Sequence, residues 1–208
     1  MATSVPGDDE ESLSVVPANK ASWEDLQLVF GTRGDPATCQ CQWFKTTSAD
    51  WKSIPVEQQR RRLREQTGCD NPTATSTIGL VAYLEGEAVG WVSVEPRTEF
   101  LTRLATSRVP WAGRDEDQQD AGVWAVMCFV VRKGFRRRGI ARALARASVG
   151  YARDHGARAI EGYPMTVDKD QTVSWGQLYI GSVGMFESAG FDVVASPTEK
   201  RRVMRINF

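Results

Sequence analysis

The sharpest chemical signal in this chain is Arg136-Arg137-Arg138-Gly139-Ile140-Ala141, where a basic, glycine-containing turn runs into an alanine-rich amphipathic segment. Backbone N–H groups at the start of a helix have no intrahelical partner and lie at the positive end of the helix dipole. A loop that exposes them can hold a pyrophosphate. Gly139 allows the close backbone approach this requires. Between Arg132 and Arg153 the chain carries Arg132, Lys133, Arg136, Arg137, Arg138, Arg142, Arg146 and Arg153 without one acid, although its formal net charge is zero. The positive field is local and suits a small anionic ligand. Arg146 and Arg153 lie beyond the first helical turn and read as a solvated face.

A second cluster, Cys39-Gln40-Cys41-Gln42-Trp43-Phe44, brings soft and aromatic side chains together early in the chain. A closed zinc site wants four Cys or His ligands, and only Cys69, Cys128 and the single His155 remain, none at metal spacing. No metal is expected. Cys41, Trp43 and Phe44 read instead as lining a substrate pocket or packing beneath it. His155 precedes Gly156 at a helix end, where histidine caps carbonyls. The four cysteines form no C-x-x-C pair, and no structural disulfide is expected in a reducing compartment.

These groups must be positioned by a fold, and 208 residues, 41% hydrophobic and 25% charged, suffice for one domain. Neutral net charge argues against a nucleic-acid or membrane-surface protein, and there is no apolar run of about 18 residues. A cytoplasmic protein is expected. Residues 1–12 are acidic and polar and read as a disordered leader, with the domain spanning 13–208. Leu13 to Pro17 predicts a strand, and Ser22 followed by Asp25 resembles a capping box opening a helix through Trp23, Leu26, Val29 and Phe30. A second helix follows Pro55. Thr77 to Leu84 and Ala88 to Val94 form a hairpin across Glu85-Gly86-Glu87. Arg97 to Gly122 lacks a sustained pattern and reads as a long functional loop. Val123 to Val131 is nearly continuous apolar and predicts a central strand. A helix after Gly139 and a strand from Ala157 to Tyr163 complete a crossover that makes the two strands parallel. Ser182 to Ala189 forms a short helix, and Phe191 to Val194 with Arg202 to Ile206 close the sheet.

The order of elements and the basic loop resemble the GCN5-related N-acetyltransferase (GNAT) family. Its signature is Gln or Arg, two variable residues, Gly, one variable residue, then Gly or Ala, here Arg136 to Ala141. Phe186-Glu187-Ser188-Ala189-Gly190-Phe191 resembles the family's C-terminal pattern. The resemblance implies an α+β fold with a mixed, mostly antiparallel sheet of six to seven strands, splayed at the central parallel pair. It implies acetyl-CoA in that opening, with the main chain of Phe129, Val130 and Val131 pairing with the pantetheine arm. The amides of Arg137, Arg138, Gly139, Ile140 and Ala141 would then hold the pyrophosphate, with charge from Arg136 and Arg142.

The activity implied is acetyl transfer to a primary amine, of a small molecule or a lysine side chain, by direct attack in a ternary complex. It needs an oxyanion donor, expected near Phe129 or Val130, and a proton for the leaving thiolate. The tyrosine that many members carry on the last helix is Phe186 here, so Tyr179, Tyr163 and Ser182 become substitutes. A glutamate that some members place on the central strand is Ala125 here, which leaves Glu95, Glu99, Asp120 and Glu161 as candidate bases. Asp115, Glu116 and Asp117 would favour a cationic acceptor. The alternative is a non-catalytic acetyl-CoA-binding module. Monomer and homodimer both remain open.

Overall fold

A computed structural model describes residues 12–75, 77–167 and 175–208. Most of the acidic leader and of the polar stretch Asp168 to Gly176 lies outside the described residues. The elements in chain order are β1 (Leu13–Pro17), α1 (Trp23–Phe30), α2 (Asp35–Cys39), α3 (Ser48–Trp51), α4 (Val56–Thr67), β2 (Leu80–Leu84), β3 (Glu87–Pro96), α5 (Leu101–Leu104), β4 (Val123–Val131), α6 (Ile140–Asp154), β5 (Ala159–Gly162), α7 (Val183–Glu187), β6 (Asp192–Thr198) and β7 (Arg201–Asn207). The strands form one seven-stranded sheet in the order β1-β2-β3-β4-β5-β7-β6. Only β4 and β5 are parallel, and the other pairs are antiparallel.

Local chemistry accounts for the helix boundaries. The Asp25 N–H donates to Ser22 Oγ (3.0 Å) and caps α1, a device that stabilises by about 1 kcal/mol. Gly68 ends α4 in the left-handed region. Helix α6 buries Ile140, Leu144, Ala145, Ser148, Tyr151 and Ala152 along one stripe. It settles on Gly90 of β3, where a Cβ would stand 2.8 Å from Ile140 Cγ2. The opposite face of the sheet is covered by α1, α4 and the first cysteine segment, around Trp91, Phe30 and Leu63.

One sequence expectation is corrected, and one segment gains a conformation the sequence did not assign. Arg97 to Gly122 is not a patternless loop throughout: a 3-10 turn at Arg97–Phe100 runs into α5. The Cys39 to Phe44 segment is bracketed by helical turns, α2 before it and a 3-10 turn at Trp43–Lys45.

The sheet has a built-in opening. Strand β4 pairs with β5 only over Val123 to Val126, opposite Ala159 to Gly162. It then runs on to Val131, so its last five residues present one edge to no strand among the described residues. On its other side the register with β3 slips between Trp91 and Ser93. Cys128 sits at that slip with φ of 52°, as in a β-bulge. Side-chain alternation breaks at the same point: Ala125, Met127, Cys128 and Val130 face the α1 side, while Val126, Phe129 and Val131 face α6.

Candidate active site

The gap beside β4 opens into a cavity of about 1060 Å³. Its wall takes in the end of α1 from Leu28 to Gly31, Arg33 to Pro36 at the start of α2, then Cys39, Cys41, Trp43, Phe44 and Trp51, the run Cys128 to Arg136, and Tyr179. Asp35 is the one carboxylate on this wall among the described residues, and nothing in its local sequence marks it as such. A smaller chamber of about 280 Å³ shares Trp43, Phe44 and Tyr179 with it and continues past them to Met127, Tyr163, Arg103 and Arg201. The Phe44 and Tyr179 rings stand 6.1 Å apart where the two spaces adjoin.

The segment carrying Cys41, Trp43 and Phe44 is fixed by its glutamines. Gln40 Nε2 donates to Ala37 O (2.9 Å) and Gln40 Oε1 accepts from Gln27 (2.9 Å), while Gln42 Nε2 donates to Gln66 Oε1 (2.9 Å). Gln40 and Cys41 take left-handed φ of 45° and 57°. This alternation turns Cys39 and Cys41 to the cavity and the glutamines to the protein. The sequence drew attention to the cysteines and aromatics and passed over the two glutamines that hold them. Trp91 Nε1 donates to Cys41 Sγ (3.4 Å). All four cysteines are free. Among the described residues, no group of three or more His, Cys, Asp or Glu side chains is disposed to hold a metal ion.

The basic loop lies at the end of the larger cavity. Phe129, Val130, Val131 and Arg136 are on its wall. Arg137, Arg138 and Gly139 continue as an exposed turn, and Ile140, Ala141 and Arg142 open α6. Within this turn φ is positive at Arg137 (68°) and Gly139 (78°). Alternating backbone of this kind collects N–H groups on one side. Gly139 is the N-cap and offers no side chain to occupy the first amides of α6. A Cβ there would meet nothing within 4 Å, so the space outside the turn is open. The Ile140 side chain is buried against β3, which leaves its main chain as its contribution to a ligand. Arg136 Nε donates to Val131 O (3.3 Å). Arg132 is engaged by Glu87 at 2.6 Å, Arg146 by Ser188 O and Arg153 by the Phe208 ring, so those three serve the fold.

The candidate proton-transfer residues separate. Tyr179 lines both cavities and is 38% exposed. Burial raises its pKa, and the Arg201 charge opposes the rise. Glu161 does not line either cavity. It is enclosed by Arg97 (3.2 Å), Arg205 (2.8 Å), Arg114 and the Tyr163 hydroxyl (2.8 Å). Burial pushes its pKa up, but Arg114, Tyr163 and Arg97 outweigh burial and hold it low. A carboxylate held that way is a poor proton acceptor. Glu95 also lies off both walls, bonded to Lys45 (2.6 Å) and to Ser93 (3.1 Å). Burial raises its pKa, with Lys45 and Ser93 pulling it back. Phe186 is wholly buried between Phe129 and Phe191. The acids expected to favour a cationic acceptor line neither cavity: Glu116 bonds Arg97, Arg114 and Arg205, while Asp115 and Asp117 are exposed away from both walls.

A splayed parallel pair, a bulged central strand and an uncapped helix behind a basic turn are now in place, and the family comparison falls on the same segment. The model of the acetyltransferase (GNAT) family matches residues 42–178. The chain belongs to the GNAT family. It is accordingly an N-acetyltransferase by family, with the mixed sheet the motif implied. No curated protein matches the chain in sequence. Among solved structures it is similar to a GCN5-related N-acetyltransferase from Kribbella flavida, with TM-score 0.52 and 21% identity over 94% of this chain and 98% of that one. It is also similar to a putative phosphinothricin N-acetyltransferase, with TM-score 0.52 and 16% identity over 94% and 98%. A GNAT-family acetyltransferase from Streptococcus pneumoniae gives TM-score 0.50 and 15% identity over 95% and 100%. At these identities the likeness is one of fold. Among the described residues, no helix is long and apolar enough to cross a membrane.

Proposed function

We propose that this GNAT protein transfers an acetyl group from acetyl-CoA directly to the primary amine of a small molecule, both held in the cleft beside β4. The observation that carries the proposal is the strand edge left open when β4 outruns β5, followed through a short 3-10 turn by the basic turn that opens α6 with no side-chain cap. Acetyl-CoA, when bound, supplies the acetyl group as an activated thioester. The main chain of Phe129, Val130 and Val131 offers donors and acceptors to an extended ligand as a neighbouring strand would. The amides of Arg137 to Ala141, with Arg136 and Arg142, suit a pyrophosphate. The bulge at Cys128 takes the adjoining amides out of the regular ladder, so one near Phe129 is available for charge developing on a carbonyl oxygen.

As the amine nitrogen bonds the acetyl carbon and the C–S bond breaks, Tyr179 is the proton donor to the departing thiolate in this reading, because it alone among Glu95, Glu161 and Tyr179 reaches the cavity. The proton the amine loses returns to the phenolate through solvent in the cleft. Glu95 and Glu161 support Lys45 and the arginine cluster. A small acceptor is favoured over a protein lysine by the limited chamber beyond Tyr179. Titration with acetyl-CoA by calorimetry tests the reading, beside the double variant Arg136→Ala, Gly139→Glu. Saturable binding to the wild type, lost in the folded variant, together with CoA release on addition of small amines, is the expected result. Absence of acetyl-CoA binding to the folded wild type overturns it, and binding without release for any amine leaves the non-catalytic module in its place.

A further inference from the structure

Arg97, Arg114 and Arg205, buried or half-buried, share the carboxylates of Glu116 and Glu161. The small chamber breaks that pattern. Two arginines, Arg103 and Arg201, stand on its wall, and among the described residues no acid does. Arg103 donates from Nε to the carbonyls of Trp43 (3.1 Å) and Thr46 (2.7 Å) and from Nη1 to Ser48 Oγ (2.6 Å), with its guanidinium over the Trp43 ring. Its Nη2 is buried without a partner. Arg201 donates one hydrogen bond, from Nη2 to Tyr163 O (3.0 Å), and its Nε is buried and unpartnered. Burial lowers its pKa, and nearby Tyr179 works against that. A guanidinium held partly out of water with donors unused is costly unless an anion completes it.

We infer, resting on the acetyl-transfer reading, that the acceptor is a small amino-carboxylate such as a free α-amino acid, its carboxylate bound by Arg201 with the charge of Arg103 behind it. The chamber joins the larger cleft across Trp43, Phe44 and Tyr179. An acceptor anchored at Arg201 therefore presents its amine past Tyr179 toward the bulged stretch of β4. A volume of about 280 Å³ suits a single amino acid. This reverses the cationic acceptor expected from the acids at positions 115–117, because those acids do not line either cavity and the arginines line this one.

The test is a CoA-release assay on the wild type with free L-amino acids, each run beside its C-terminal amide and its decarboxylated amine. The free acids are expected to exceed their amides about 10- to 100-fold in kcat/KM, the value of a charge-assisted Arg–carboxylate bond. Arg201→Gln should erase that preference through a raised KM for the acids alone, with acetyl-CoA affinity and melting temperature retained, and Arg201→Lys should restore only part of it. Amides or decarboxylated amines that serve as well as the acids overturn the inference. So does an Arg201→Gln variant that impairs acids and amides equally, or acetyl-CoA binding with no acid turned over. If Arg201→Gln fails to fold, the wild-type comparison of acid with amide decides alone. Lack of acetyl-CoA binding to the wild type is a separate result that removes the transferase reading itself.

Discussion

Gly162 is the last β5 residue paired with β4, and its substitution by alanine probes how the opening is held. A Cβ on Gly162 would stand 2.3 Å from Phe186 Cε1 and 2.5 Å from Cζ. The ring has no direction in which to retreat. It packs edge-on against Phe129 (5.9 Å, 83°) and Phe191 (4.9 Å, 85°), and Gly181 is also close to it, a Cβ there lying 2.8 Å from Phe186 Cε2. Phe186 is thus a plate inserted between two glycines at the point where β4 and β5 part. Overpacking of this kind costs about 1–3 kcal/mol, and the rigid surroundings place Gly162→Ala near the upper end. For a chain of this size each kcal/mol lowers Tm by about 2–4 °C, so a fall of about 5–10 °C is expected. Because the clash is at the mouth of the opening, acetyl-CoA affinity should weaken as well.

The assay is thermal and urea unfolding of Gly162→Ala, Phe186→Leu and the double variant. Shortening the ring relieves the clash, so the double variant should be more stable than the sum of the two losses implies, by at least about 0.5 kcal/mol, the threshold for real coupling between neighbours. A Gly162→Ala protein that melts within about 1 °C of the wild type, or strict additivity in the cycle, would refute the account of Phe186 as a wedge.

Tyr179→Phe should lower kcat by about 10²-fold with acetyl-CoA affinity unchanged by calorimetry; unchanged kcat removes Tyr179 as proton donor. Glu161→Gln leaves Arg97, Arg114 and Arg205 short of a carboxylate and should cost about 3–5 kcal/mol in urea unfolding. The Glu161 pKa is held low in the fold, so its contribution is full above the ordinary glutamate range and is lost as pH falls through the folded value. The wild type should therefore lose stability on acidification more steeply than Glu161→Gln, and parallel acid limbs would contradict the assignment. Cys39 is pushed up to about 12 by burial and by neighbouring Cys41, so iodoacetamide at pH 8 should leave it unmodified over minutes by mass spectrometry; rapid labelling there would show a more open cleft.

What was legible in the sequence was local. The Val123 to Val131 run, the Ser22 cap, the stripe of α6 and the basic turn each depend on neighbours a few residues away, and each appears where the spacing places it. The bulge at Cys128 left no trace, because a run apolar at every position does not record which face a residue takes. The fates of the charged residues were equally hidden: Glu161 meets Arg97 across 64 positions, and Arg103 and Arg201 face one chamber from α5 and β7. Composition made the acids at positions 115–117 conspicuous and Arg201 ordinary, and tertiary pairing inverted that ranking by consuming Glu116 and leaving Arg201 without a carboxylate among the described residues. The tyrosine question shows the same division. The C-terminal pattern points to position 186, yet its ring is enclosed by Gly162, Gly181, Phe129 and Phe191, where a phenol hydroxyl would be buried away from the cleft. Seven residues earlier, Tyr179 has the opposite environment, with its ring beside Phe44 and exposure to both cavities. Placing a tyrosine at 186 should accordingly destabilise the core without raising kcat, since access to the cleft, rather than residue type at a motif position, decides which aromatic ring does chemistry.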